Sequence, residues 1–348
     1  MPTFNNLDAM LVRIQKGRFL SVGRAGLDLY PEPIGTKTCD ATSFSADLGG
    51  SAGNIAVALA RLEKNVSLVS VLSADPVGAF TKTRLEYYGV VTDCLRLADE
   101  AHERLARNSL AVAETRPDDA EVVIYRNDAA DLLLRKDDVI SIDYKGVAAL
   151  IVTGTALSAN PSREAVFASA KLANEAGCPI VFDIDYRRDA WQSVEDAARV
   201  GKEFTALCDV IIGNDDEFDV LATSTNHDGV TYASDLARDV SLVLYKQGAA
   251  GCQTFYKDKL KHKDKSLTVS KYGIFNVSMA KPFGAGDSFV GAFMAALHSG
   301  VQLSDAVIRG SAAAAIVVSR PGCASAMPDK DTIDAFMAQN KASAYGVI

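Results

Sequence analysis

Lys281-Pro282-Phe283-Gly284-Ala285-Gly286-Asp287-Ser288-Phe289-Val290-Gly291-Ala292-Phe293-Met294 joins a glycine turn to a helix of small and apolar residues. Gly284, Ala285 and Gly286 are small enough to leave backbone N–H groups open at the helix start. Free donors and the positive end of the helix dipole make an anion site there. Asp287 is the peculiar residue, because it places a carboxylate where an anion would bind. An Asp near a helix start commonly caps it. Beside a phosphate cradle it can equally be the base that a hydroxyl acceptor needs in phosphoryl transfer. The stretch alone leaves both roles open.

Outward from this turn the pattern predicts an α/β fold. From residue 147 onward, apolar runs expected as strands (147–152, 180–184, 210–212, 242–245) alternate with helical stretches at 163–176 and 195–207. Asn160-Pro161 reads as the cap and first-turn proline of the earlier helix. Residues 223–229 form a polar loop, and further helices are expected at 287–297, 304–318 and 331–340. Such alternation gives a mostly parallel central sheet with helices on both faces. In the N-terminal half, 19–23 reads as a strand, after which Pro31 and Pro33 should stop regular structure. Gly49-Gly50-Ser51-Ala52-Gly53 reads as a flexible turn opening a helix at 54–62, with Ile55, Leu59 and Leu62 at helical spacing. Residues 66–72 follow as a strand. Short β-like pieces at 109–112 and 121–125 break the alternation and are expected to leave the main sheet. The expected organisation is one domain over 19–340, a small β lid from about 28–48 and 92–131, and an N-terminal extension at 1–18. No internal repeat is visible.

Composition narrows the classes. The 348 residues hold 36 Lys and Arg against 44 Asp and Glu, a net charge of −8, with 48% hydrophobic residues. These are globular values, and the acidic balance argues against sequence-independent nucleic-acid binding. The longest nearly apolar stretches, 289–297 and 312–318, fall short of the ~20 residues that span a bilayer. Residues 1–18 lack the charge order of a signal peptide. Cys39, Cys94, Cys178, Cys208, Cys252 and Cys323 are scattered, as expected of reduced thiols in a cytoplasmic protein. The four histidines have no zinc-like spacing to them. Residues 257–265 carry five lysines in nine positions, a run that reads first as a solvated hairpin tip and second as an anion patch.

Four motifs in order resemble the ribokinase-like (PfkB) carbohydrate kinases. Gly284-Ala285-Gly286-Asp287 with its small-residue helix matches the C-terminal signature, and Gly49-Gly50-Ser51-Ala52-Gly53-Asn54 matches the N-terminal one. Asn214-Asp215-Asp216-Glu217 is similar to the family's N-x-x-E, and Lys246-Gln247-Gly248-Ala249-Ala250-Gly251 to its G-x-x-G turn. Two departures stand out: Glu63 where a glycine commonly follows Arg-Leu, and Lys281-Pro282-Phe283 where Asp-Thr-Thr is usual. The resemblance implies a ribokinase-like fold and transfer of the γ-phosphoryl group of ATP with Mg²⁺. Asp287 would then be the base, with the N–H groups of Gly284, Ala285 and Gly286 stabilising the transferring group. Asn214 and Glu217 would organise the metal, through water. Lys246, Gly248 and Gly251 would line the nucleotide side, with Ala313 near adenine, although Ala313 reads equally as helix core. Asp28, Gly50 and Asn54 would hold sugar hydroxyls. The resemblance also implies lid closure and a homodimer or higher homo-oligomer.

Segments around Asp28, Asp183-Ile184-Asp185-Tyr186-Arg187 and Arg320-Pro321-Gly322-Cys323 resemble a subgroup of that family acting on a keto-deoxy sugar acid at its terminal hydroxyl. Tyr125-Arg126-Asn127 fits the same subgroup, whereas Asp128 and Ala129 depart from it. A sugar acid wants a planar guanidinium partner, for which Arg126 and Arg187 are the candidates. Each alone would otherwise read as a surface ion pair. Kinases of other sugars, such as 2-keto-3-deoxygluconate or fructose, remain the alternative, followed by a non-catalytic sugar sensor. A dinucleotide-dependent dehydrogenase would need G-x-G-x-x-G after the first strand, which residues 23–26 do not supply.

Overall fold

The computed structural model describes residues 4, 7–99, 101–103, 105–257 and 267–343. Its strands are β1 (Arg18–Val22), β2 (Gly26–Glu32), β3 (Ser43–Gly49), β4 (Val66–Leu72), β5 (Leu95–Leu97), β6 (Leu110–Ala113) and β7 (Val122–Tyr125). They continue as β8 (Val147–Thr153), β9 (Ile180–Asp183), β10 (Val210–Asn214), β11 (Leu242–Lys246), β12 (Cys252–Lys257) and β13 (Leu267–Tyr272). The helices are α1 (Leu7–Ile14), α2 (Ser51–Arg61), α3 (Pro76–Tyr87), α4 (Lys136–Ile140), α5 (Ser162–Glu175) and α6 (Val194–Thr205). After them come α7 (Asp215–Ala222), α8 (Gly229–Leu236), α9 (Ala285–His298), α10 (Leu303–Val318) and α11 (Lys330–Gln339).

The main sheet runs β13-β12-β11-β10-β9-β8-β1-β4-β5. It is parallel from β5 to β11, and β12 and β13 add an antiparallel edge. Successive strand residues feed two cores. Phe19, Leu68 and Ile151 meet Ile55 and Leu59 of α2 and Phe293 of α9 on one face. Leu20, Val69 and Leu150 meet Ala165 of α5 and Phe204 of α6 on the other. A strand covered on both faces reads as a continuous apolar run, which is why β4 and β8 were legible in the sequence. Full burial of each such Leu or Phe stabilises by ~1.5–3 kcal/mol. Gly291 lets α9 press on α2, since a Cβ there would come within 2.4 Å of Ala58 Cβ.

β3, β2, β6 and β7 form a separate small sheet. β2 runs through Pro31, contrary to the expected stop. Leu27 N–H donates to Ser109 O on the β6 side. Backbone direction repeats every second residue, so the Pro31 nitrogen faces that side too, beyond Leu29 where pairing with β6 ends. An absent N–H at an open edge breaks nothing.

Other expectations need correction. α2 begins at Ser51, so Ser51-Ala52-Gly53 is its first turn, and only Gly50 (φ +92°) stays outside as the cap. β5, expected with the lid, pairs with β4 in the main sheet. Pro161, not Asn160, occupies the cap position of α5. Leu7, Met10 and Ile14 of α1 are buried in the core with Phe19. α3 was not expected, although Asp75, which accepts from Val77 and Gly78 N–H, and Pro76 at the first position signal it. The lysine-rich run lies outside the described residues from 258 to 265.

Glu63 takes φ +60° just after α2, the left-handed conformation that a glycine adopts without strain. Glu63→Gly is therefore expected to stabilise the protein by about 0.5–1 kcal/mol, read from the urea midpoint. A lower midpoint would show that a Glu63 contact outweighs the backbone strain.

β1 is flanked by β4 on one side and β8 on the other, so the strand order reverses there. In open α/β sheets, ligands bind beyond the carboxyl ends of strands at such a reversal.

Candidate active site

A cleft of about 950 Å³ occupies this edge. Asp183, Asn214 and Lys246 reach it from the ends of β9, β10 and β11, and α9 points its N-terminus in. Asp28, Ala111, Ala113 and Ile124 close the opposite wall from the inner face of the small sheet.

Asp287 is buried in the first turn of α9, and Asn54 Nδ2 donates to its Oδ2 at 2.8 Å. The contact joins the first turns of α2 and α9, the two helices that Gly291 brings together. Burial, with Asp185 adding to it, pushes the Asp287 carboxyl up to about 6. The cap of α9 is Gly284, which is left-handed at φ +80°. Asp287 is therefore not the cap, and the choice left open by the sequence falls toward a carboxylate that faces the cleft. A side chain at Gly284 would be strained at that φ and crowded, since a Cβ would lie 3.1 Å from Val317 and 3.2 Å from Cys323 Sγ. A Cβ on Gly286 would stand 3.3 Å from Lys246 Nζ. An ammonium and the open N–H groups of a helix start thus converge on one point, which calls for an anion.

Lys246 lies 3.9 Å from Asp183. Burial works against its charge, but Asp183, Glu217 and Asp287 prevail and hold its pKa above the ordinary value. Burial raises both Asp183 and Glu217, and each is lowered by Lys246. Asn214 and Glu217 form a reciprocal capping box on α7: Glu217 N–H donates to Asn214 Oδ1 at 2.8 Å, and Asn214 N–H to Glu217 Oε2 at 2.7 Å. Both line the cleft. Among the described residues no three of His, Cys, Asp and Glu gather as a metal-holding set. This donor set fits a cation that keeps most of its water and takes its other ligands from phosphate.

The other end of the cleft carries orphan acceptors. Asp28 is buried; Tyr30 O–H donates to its Oδ2 at 3.1 Å, while Oδ1 has no hydrogen-bond partner among the described residues. Asn54 Oδ1 is also without one. Burial raises the Asp28 pKa, with Arg24 opposing it. Unmet buried acceptors of this kind suit a ligand that brings hydroxyls. Gly50 lines the same region.

The arginines are not equivalent. Arg126 is bound within the protein, by Asp131, Ser158 Oγ at 3.1 Å and the Thr155 carbonyl at 3.0 Å. Arg187 pairs with Asp185 at 2.9 Å, which raises its pKa further. Arg24, which the sequence did not single out, is buried on the cleft wall and, among the described residues, makes a long contact to Ser109 Oγ, 3.4 Å. In the sequence, Asp183 and Asp185 stand only within a resembling segment, with no site role given to either. Their signal was an Asp-x-Asp at the carboxyl end of a parallel strand, and Asp185 takes the uncommon φ +38° that marks functional turns.

Of the residues the resemblance gave to ATP, Lys246, Gly248 and Gly251 line the cleft and Ala313 does not. It packs in a core cluster with Phe275 and Ile333, whereas Ser311, Ala314, Ala315 and Val318 line the cleft. All six cysteines are unpaired. No described helix is long and apolar enough to cross a membrane.

Residues 18–330 match the pfkB family of carbohydrate kinases, and the chain belongs to that family. It is an ATP-dependent sugar kinase with a ribokinase-like fold. It is 37% identical over 320 residues to the 5-dehydro-2-deoxygluconokinase of Photobacterium profundum, covering 91% of this chain and 93% of that one. The 5-dehydro-2-deoxygluconokinase of Lacticaseibacillus casei is 32% identical, covering 94% and 98%. Among solved structures, the fructokinase of Xylella fastidiosa with bound ATP superposes with a TM-score of 0.79 at 23% identity, over 93% of this chain and 99% of that one. The aminoimidazole riboside kinase of Salmonella enterica gives 0.74 at 21%, over 92% and 99%. Kinases of this family use ATP with a divalent metal.

Proposed function

We propose that the chain phosphorylates the terminal hydroxyl of 5-dehydro-2-deoxy-D-gluconate, with ATP as donor and Mg²⁺ as the metal. The observation that carries the chemistry is Asp287, a buried carboxylate held by Asn54 at the mouth of an anion cradle. Asp287 Oδ accepts the proton of the attacking hydroxyl. The N–H groups of Gly284, Ala285 and Gly286 and the Lys246 ammonium meet the charge on the transferring group. Asn214 and Glu217 would hold the metal, which when bound would neutralise charge on the phosphates. Asp28 Oδ1 and Asn54 Oδ1 accept from sugar hydroxyls. The small sheet acts as a lid that excludes water. Relatives named for a sugar-acid substrate support the choice of acceptor.

Arg24, Arg126 and Arg187 supply the guanidinium chemistry a carboxylate requires, and Arg24 has donors to spare. Arg24→Ala and Arg187→Ala are expected to raise KM for the sugar acid roughly 10–100-fold, the worth of about 1.5–3 kcal/mol for a hydrogen bond to a charged group. KM for ATP should hardly move. Assay of purified protein against 5-dehydro-2-deoxygluconate, 2-keto-3-deoxygluconate and fructose tests the substrate. Preference for fructose, or equal losses on acid and neutral sugars, would sink the sugar-acid reading.

The same reading takes the enzyme to be a cytoplasmic homodimer paired through the small sheet. The register places Leu27, Leu29, Leu110, Val112, Val123 and Tyr125 on its outer face, an apolar surface of the kind that marks interfaces.

A further inference from the structure

Lys281 is fully buried and does not line the cleft. Its ammonium donates to the carbonyl oxygens of Phe283 at 2.6 Å and Val317 at 3.2 Å. Among the ion pairs of the described residues, none includes it. Burying an ammonium without a carboxylate partner is costly, and an apolar side chain would fill the space more cheaply. The charge therefore needs a reason.

Its position supplies one. Val317 lies in the last turn of α10, the negative end of that helix dipole. Phe283 immediately precedes Gly284, the left-handed cap of α9. The ammonium thus ties the end of α10 to the loop that opens the anion cradle. The Lys281 and Ala280 N–H groups repeat the tie by donating to the Val318 carbonyl at 3.2 and 2.8 Å. Neutral carbonyls orient the cation without cancelling it. Burial lowers the Lys281 pKa, while Cys323, Asp287, Asp47 and Asp28 oppose that fall, so its field reaches the carboxylates of the site.

We infer that Lys281 is a positioning residue for phosphoryl transfer: a cation tethered within the chain, which fixes the 283–286 loop and adds positive charge behind the cradle. It occupies carbonyl oxygens that would otherwise suit a free monovalent cation, so the enzyme needs none. This rests on the proposal that the cradle takes the transferred group. It also gives a physical meaning to the Lys281-Pro282-Phe283 departure from the family pattern.

The test begins with wild-type protein shown to transfer phosphate from ATP to a sugar acid, so that failure of the functional reading is seen first. Turnover with tetramethylammonium as the sole monovalent cation should equal turnover with potassium. Lys281→Gln keeps N–H donors for the two carbonyls but not the charge. It should fold, leave both KM values nearly unchanged and lower kcat by ~10²-fold, as a small displacement of a reacting group does. Lys281→Ala should regain part of its lost kcat with ammonium or potassium chloride, and none with choline chloride at equal ionic strength. A wild-type requirement for potassium, a Lys281→Gln variant with normal kcat, or Lys281→Ala deaf to every small cation would each overturn the inference. If neither variant folds, the wild-type cation dependence decides.

Discussion

Asp287→Asn will lower kcat by ~10²–10⁴-fold, the usual effect of losing a general base, while ATP still binds. The amide keeps the shape of the carboxyl and its contact with Asn54, but it cannot accept the proton of the attacking hydroxyl. The geometry also sets a pH profile. With its carboxyl raised to about 6 by burial, Asp287 is ionised at neutral pH yet basic enough to take a proton. Wild-type kcat/KM should fall about tenfold per pH unit below that point, because kcat/KM reports the free enzyme. Near-normal turnover of the Asn variant would remove Asp287 from the mechanism.

The same substitution should stabilise the fold. A carboxyl whose folded pKa lies above its unfolded value favours the folded state when protonated and opposes it when ionised. The penalty is absent below about pH 4 and complete above about pH 6. The climb from 3.8 to about 6 corresponds to roughly 3 kcal/mol. Asp287→Asn should therefore melt higher than wild type at pH 7.5, with the two curves converging near pH 4. A site that stores destabilisation for use in catalysis behaves in this way.

What could be read from the sequence follows from which interactions are local. The apolar runs of β4 and β8 mark strands buried on both faces, and the order of the four glycine- and carboxylate-bearing motifs places the cleft before any coordinates. Asp287 at a helix start is local too. Pairing across the chain is not local. Nothing near Pro31 says that its nitrogen will face an open edge, and nothing near Ala313 says that it will stay out of the cleft while Ala314 lines it. Arg126 read as a carboxylate partner or a surface ion pair, and its actual partners depend on the fold: Asp131 is five residues away, but Ser158 and the Thr155 carbonyl are not. Arg24 carried no motif, and only the closure of the small sheet over β1 gives it a cleft to face. Glu63 was seen as a departure at a turn, and its positive φ explains why glycine is common there.

Removing divalent metal will abolish turnover, for a reason of charge. Around the anion cradle, Asp183, Asp185, Glu217 and Asp287 line the cleft, with Lys246 beside Asp183 and Arg187 paired to Asp185. Burial raises the pKa of three of these carboxylates, Asp183, Glu217 and Asp287, and Lys246 opposes the rise in each. ATP adds about four negative charges, and two like charges 4 Å apart repel by ~4 kcal/mol at an effective dielectric of 20. Lys246 alone cannot offset that. Activity should vanish in EDTA and return with Mg²⁺ or Mn²⁺, ions suited to oxygen ligands and retained water. Glu217→Gln separates the metal from the fold. Gln can still take the Asn214 N–H in the capping box, so α7 should remain intact while the magnesium concentration for half-maximal rate rises. Full activity in metal-free buffer would overturn the mechanism, because it would show that the side-chain cations of the cleft balance the phosphates by themselves.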